Sequence, residues 1–91
     1  MRLELELGGE EEIHMLAAHL AERGLGVDDV LAVAEWCVPR RKGNRLFAYG
    51  RGSGGTPIVV VLSRRGSVWR ALTAWPMDEI ERRWWRRQGG R

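Results

Sequence analysis

Leu3, Leu5 and Leu7 alternate with Arg2, Glu4 and Glu6, a period of two that reads as a half-buried strand at an edge, ended by Gly8-Gly9. The period then changes. Ile13, Leu16, Ala17 and Leu20 recur at helical spacing and predict a helix from Glu10 to Arg23, acidic in its first turn and stopped by Gly24. Val30, Val33, Ala34 and Cys37 share the face of a second helix, with Gly26 as its N-cap, Asp28 and Asp29 in its first turn, and Pro39 closing it. Arg40 to Arg45 reads as a basic turn, and Leu46 to Gly50 as a strand. Gly50 to Thr56 reads as a flexible loop. Ile58 to Leu62 is β-branched and apolar on both faces, which suits a central strand covered on both sides. Arg64 to Ser67 is a tight turn into a strand from Val68 to Trp75, paired with the previous one as a hairpin. Pro76 introduces a last helix, Met77 to Gln88, with early acids and late arginines. In it Asp78–Arg82 and Glu79–Arg83 stand at ion-pair spacing. A frayed tail, 89–91, follows. The expected architecture is a single α+β domain over 1–91, order β-α-α-β-β-β-α, with two N-terminal helices and a C-terminal helix on a mainly antiparallel sheet.

Charge sharpens this picture. The net charge is +3, yet residues 1–35 carry nine acids and two bases, while residues 36–91 carry thirteen bases and three acids. Fourteen of the fifteen bases are arginine, whose planar fork suits phosphate and carboxylate. A basic half of this kind is the footprint of a polyanion binder. The other outcome is mutual neutralisation of the two halves across the fold. No apolar run approaches the ~20 residues of a membrane span, so no membrane partner is expected. One cysteine, Cys37, cannot close an internal disulfide, and no metal-ligand spacing or cofactor motif is present, so no cofactor or metal is expected. A reducing cytoplasm is the expected setting.

Candidate chemistry lies in three groups of residues. Arg40, Arg41, Lys42 and Arg45, with Arg64 and Arg65, occupy turns at sheet edges, where a nucleic-acid backbone can be reached. Arg70 stands inside a strand, where alternation groups it with Val68, Leu72 and Ala74. It must therefore meet solvent, a ligand or a helix acid. His14 and His19, five apart, cannot form a metal pair; each is either a helix-surface histidine or a general acid–base. Among five tryptophans, Trp84 extends the stripe Met77–Ile80–Trp84 into the core. The others exceed what a core this small can hold, so at least one is expected at a surface that stacks bases or meets a partner, including a second copy. Gly50, Gly52 and Gly55 match G-x-G-x-x-G but lead into a strand, so they mark a hairpin loop and not a dinucleotide site.

The run Glu22-Arg23-Gly24-Leu25-Gly26-Val27-Asp28-Asp29-Val30, the basic turn, the three strands and Arg70-Ala71-Leu72-Thr73-Ala74-Trp75-Pro76 together resemble the BrnT-like branch of the RelE/ParE toxin superfamily, or a small family near it. The resemblance implies a metal-independent ribonuclease of a toxin–antitoxin pair, with RNA as substrate and an acidic antitoxin-like protein as partner. It places Arg70, Thr73, Glu81 and Trp85 in four positions of the family's terminal block. Trp75 stands where a second arginine is expected. The first-helix histidine falls at Met15, with His14 adjacent and His19 a turn later. The catalytic set it suggests is Arg70, Thr73, His14 and His19. The alternatives are a non-catalytic interaction domain, as a homodimer or protein-partner binder, and a general nucleic-acid binder.

Overall fold

Five successive apolar residues, Ile58 to Leu62, are stable only where both faces of a strand are covered. The computed structural model describes residues 1–91 and buries all five side chains in β3 (Pro57–Arg65). Around it runs an antiparallel meander in the spatial order β1 (Val38–Lys42), β2 (Arg45–Arg51), β3, β4 (Val68–Pro76). Helices α1 (Glu10–Ala21) and α2 (Val27–Glu35) cover one face with a thirteen-residue core that includes Leu16, Leu20, Val30, Val33, Leu46, Val60 and Leu62. Helix α3 (Glu79–Arg87) covers part of the other, where Tyr49, Val59, Met77 and Trp85 form a second cluster. The fold is α+β, in the order α-α-β-β-β-β-α.

Cross-strand register sorts the face under α3 into rows. Val38, Tyr49, Val59 and Trp75 form an apolar row beneath the helix. The next row is Arg40, Phe47, Val61 and Thr73, and the third is Lys42, Arg45, Ser63 and Arg70. Polarity thus rises along the strands, from the helix-covered end to the end that carries the β1–β2 and β3–β4 turns. Those turns are two residues each, and both begin with glycine at positive φ, Gly43 at 59° and Gly66 at 60°, where an L side chain is strained.

Four local differences from the sequence pattern have physical causes. The alternating segment Leu3–Leu7 makes a single parallel bridge, Leu5 to Trp69, and no strand. Its remaining main-chain bonds go elsewhere: Leu3 N–H donates to Ala34 C=O at 2.8 Å, and Cys37 N–H to Met1 C=O at 2.8 Å, so the segment straps α2 to the edge of β4. Arg40 to Lys42 is strand and not turn, because an edge strand tolerates charge and Pro39 where a central one does not. In β4 the pairing steps from Leu62–Ala71 to Val61–Thr73, so Leu72 is a bulge and the alternation resets. Ala74 consequently packs with Trp69 and Ala71 toward the α1/α2 core, which separates it from Arg70, while Val68, before the bulge, keeps the face that Arg70 takes. In α3, Asp78 is the N-cap and accepts from Glu81 N–H at 2.8 Å, while Glu81 accepts from Asp78 N–H at 2.9 Å. Arg82 therefore pairs with Glu79 at 3.5 Å and not with Asp78. This phase buries Trp85 completely, leaves Trp84 half-buried over Tyr49 and turns Ile80 out at 72% exposure. The tail folds back as well: Gly90 N–H donates to Trp85 C=O at 2.9 Å.

Cys37 is buried beside the N-terminal strap, and burial pushes its thiol up from 9.0 to about 11. Between those values the unfolded chain releases a proton that the folded chain retains, so stability falls as pH rises through this window. Burial also pushes Tyr49 upward, with the same sign. Urea unfolding at about pH 8 and about pH 10.5 will show the loss, and Cys37→Ala will make the decline shallower. An equal decline in both proteins would refute the assignment.

Candidate nucleic-acid interface and edge cluster

In a meander the first and third turns lie at the same end of the sheet, so the turns at Gly43-Asn44 and Gly66-Ser67 stand side by side. They bring Arg41, Lys42 and Arg45 together with Arg64 and Arg65, and Arg40 follows one row behind. The six cations predicted for nucleic-acid contact thus gather at one end, although 18 or more residues separate the two groups in sequence. All six are exposed. None forms an ion pair; the five that exist are Arg2–Glu35, His19–Glu22, Arg70–Glu12, Arg82–Glu79 and Arg83–Glu79.

Aromatic rings take the place of carboxylates. The guanidinium carbons of Arg41 and Arg64 lie 5.8 and 5.4 Å from the Trp69 ring, and that of Arg40 lies 4.8 Å from Trp84. The Lys42 ammonium is 5.1 Å from Phe47, whose ring also meets Trp75 edge-on at 6.2 Å. A ring holds a cation in place without cancelling its charge. Stacked guanidiniums keep their outward N–H groups for an anion, and an aromatic beside them can take a base on its face. Trp69 flanks this end on the α1/α2 face, and Phe47 and Trp84 flank it on the face under α3. Their part was not readable from the sequence, because cross-strand register decides which ring lies under which cation.

Arg70 has a different fate. Its side chain is 19% exposed and its Nη2 is held by the Glu12 carboxylate of α1. This is the helix acid that a half-buried strand arginine requires, and it removes Arg70 from the free cations. Glu12→Gln will leave that charge half-buried without its counter-charge. Because Glu12 itself is half exposed, the cost is about 1 kcal/mol, well below that of a fully buried pair. Chemical denaturation reads it, and an unchanged midpoint would show that the pair contributes nothing.

A second cluster lies farther along β4. Thr73 Oγ1 is 2.7 Å from His19 Nε2, and Arg23 Nη1 is 3.1 Å from that nitrogen and 3.3 Å from the hydroxyl. Arginine only donates, so Nε2 is an acceptor and the ring proton sits on Nδ1, toward Glu22 Oε2 at 3.9 Å. Two of the four expected catalytic residues, His19 and Thr73, therefore touch. Arg70 is engaged by Glu12, and His14 is exposed with no hydrogen-bond partner. Arg23 was missed, although its position four residues after His19 near a helix end was a usable signal.

The glycine loop at 50–55 binds a carboxylate of its own chain: Asp29 accepts from Ser53 N–H at 2.9 Å, Ser53 Oγ at 3.1 Å and Gly26 N–H at 2.8 Å. A Cβ at Gly52 would lie 2.5 Å from Asp29 Oδ1, so glycine is needed there for close packing on α2. No helix is long and apolar enough to cross a membrane, and no group of three or more His, Cys, Asp or Glu residues is placed to hold a metal ion. The chain matches no known family, no curated protein and no solved structure.

Proposed function

We propose that this chain is a nucleic-acid-binding domain whose ligand is RNA, gripped at the sheet end that carries the β1–β2 and β3–β4 turns. One observation carries the reading: six cations from two hairpins converge there without a carboxylate partner. A phosphate backbone supplies the missing counter-charges, and release of condensed cations from the nucleic acid drives binding. Phe47 lies opposite Arg40, one row in from that end and within reach of Lys42, and offers a base a ring to stack on, with Lys42 free to move from the ring to a phosphate.

Affinity for a short single-stranded RNA will fall steeply with salt. Each phosphate contact removed lowers the slope of log affinity against log salt by about 0.7. Lys42→Glu combined with Arg45→Glu and Arg65→Glu will weaken binding at least tenfold at low salt and flatten that slope. Fluorescence anisotropy across a salt series reads both. Salt-independent binding, or unchanged binding by the triple variant, would overturn the reading. An acidic protein that bound the same surface would displace the RNA in this assay.

A second reading is the toxin-like ribonuclease that the family resemblance implies, with an acidic antitoxin-like partner. The His19–Thr73–Arg23 contact favours it. Cleavage without metal needs a base to take the 2′-hydroxyl proton and a cation beside the crowded phosphorane, and His19 and Arg23 have the chemistry for these roles. Incubation of end-labelled RNA with the protein, with and without ribosomes, tests it. Cleavage lost at least 100-fold in His19→Gln supports it. Intact RNA throughout removes it and leaves the binding reading in place.

A further inference from the structure

Charge is graded across this sheet from one edge to the other. None of the four strands contains an acid. Neighbouring elements bring acids to β4: Glu4 and Glu6 stand on the strap, whose main chain bonds that of Trp69 at 2.9 Å, and Glu12 of α1 holds Arg70. Glu4 and Glu6 are exposed and form no ion pair. The opposite edge, β1, carries Arg40, Arg41 and Lys42, also unpaired.

Helix α3 repeats the gradient. Its acidic start lies over β4, where Glu81 accepts from the Trp75 indole N–H at 3.1 Å. Its later turns reach β2 and β1: the Trp84 ring is 4.6 Å from that of Tyr49, and the Arg40 guanidinium carbon lies 4.8 Å from Trp84. Trp84 thus faces the β1 edge, and Arg87, three residues on, shares that side of the helix. Arg83, four residues before Arg87, is its neighbour on the outer face. Arg87 has no ion pair, and Arg83 reaches only Glu79, at 4.0 Å. Lys42, Arg40, Arg87 and Arg83 therefore make a file of cations on the α3 face, from the turn end to the end of the helix. Phe47 lies beside its start and Trp84 beside its middle. Cations that track a backbone, with rings between them for bases, are what a single nucleic-acid strand requires.

We propose that a bound RNA strand leaves the turn end along this file, over the β1 edge and Trp84 to the last turn of α3. It does not leave toward β4, where Glu4 and Glu6 repel phosphates. The inference rests on the RNA reading above and adds to it the path of the strand and the length that the protein holds. The turn end supplies the first contacts, and α3 supplies further ones that only a longer strand reaches.

Length separates the two. At about 3.4 Å per stacked nucleotide, a tetramer spans about 14 Å and a dodecamer about 40 Å, against a longest molecular dimension of 37 Å. Fluorescence anisotropy with labelled oligouridylates of these two lengths, across a salt series, reads both affinities. Arg83→Gln with Arg87→Gln, both at exposed positions, will weaken dodecamer binding about tenfold or more and leave tetramer binding within about twofold. The dodecamer's slope of log affinity against log salt will fall by about 0.7 for each contact removed. Comparing variant with wild type at each length cancels the extra registers open to a longer strand. In the wild-type protein, the Trp84 indole N–H and amides 84–88 will shift with the dodecamer and stay still with the tetramer, a readout free of any folding defect. A double variant that weakens both lengths equally, or neither, would overturn the path. So would a dodecamer that leaves Trp84 unmoved. Wild-type protein that binds neither length would remove the RNA reading and the path with it, whereas tetramer binding beside a dodecamer indifferent to α3 would remove the path alone.

Discussion

A strand that is apolar on both faces must be roofed twice, and everything else in this fold adjusts to how unequally the chain does so. Two helices and a strap from the N-terminus serve one face of β3. Only α3 is left for the other, and nine helical residues span roughly 14 Å. That length covers the row Val38–Tyr49–Val59–Trp75 and reaches Phe47 and Val61 in the next. Past them the rows must be compatible with water, and they are: Arg40, Lys42, Arg45 and Ser63 stand where a longer helix would have required aliphatic residues.

The same asymmetry sorts the charge. Nine of the twelve acids precede residue 36, and α1, α2 and the strap hold them on the side of the sheet away from α3. The sheet then stands between most of the acids and most of the cations, and only Arg70, on the strand that runs alongside α1, is neutralised across it by Glu12. Elsewhere the fold solves arginine packing with aromatic rings. Rings allow a long side chain to lie flat over Trp69 or Trp84 without spending its charge. The excess of tryptophan and the excess of arginine, which look like separate oddities of composition, are parts of one arrangement.

Much of this was legible in the sequence because hydrophobic period is a strong local signal. The two N-terminal helices, the doubly covered strand, the hairpin after it and the glycine loop all follow from it. What failed was decided by distant partners. Arg40-Arg41-Lys42 reads as a turn until β2 offers it a ladder, and Leu3–Leu7 reads as a strand until α2 and Trp69 divide its hydrogen bonds. One extra residue in β4, Leu72, undid the assignment of faces, and no local feature announced it. In the candidate sites, the cationic turns were visible as charge, but their side-by-side placement needed the meander. Touching of His19 and Thr73, 54 residues apart, needed the packing of α1 on β4. The two positions that the pattern placed wrongly, Trp84 and Ile80, follow from a helix that starts at Glu79, because Asp78 caps it, and so shifts the buried stripe to Trp85.

The turn end of the sheet is a cationic surface with no carboxylate partner within the chain, and the proposed binding has another molecule supply the counter-charge. Amide chemical-shift mapping while a short oligouridylate is added to the isotope-labelled protein tests it most directly. Binding at this end will give the largest changes at residues 40–47 and 63–67, with α1 and α2 still. Changes confined to the helices, or none at millimolar oligonucleotide, would contradict it.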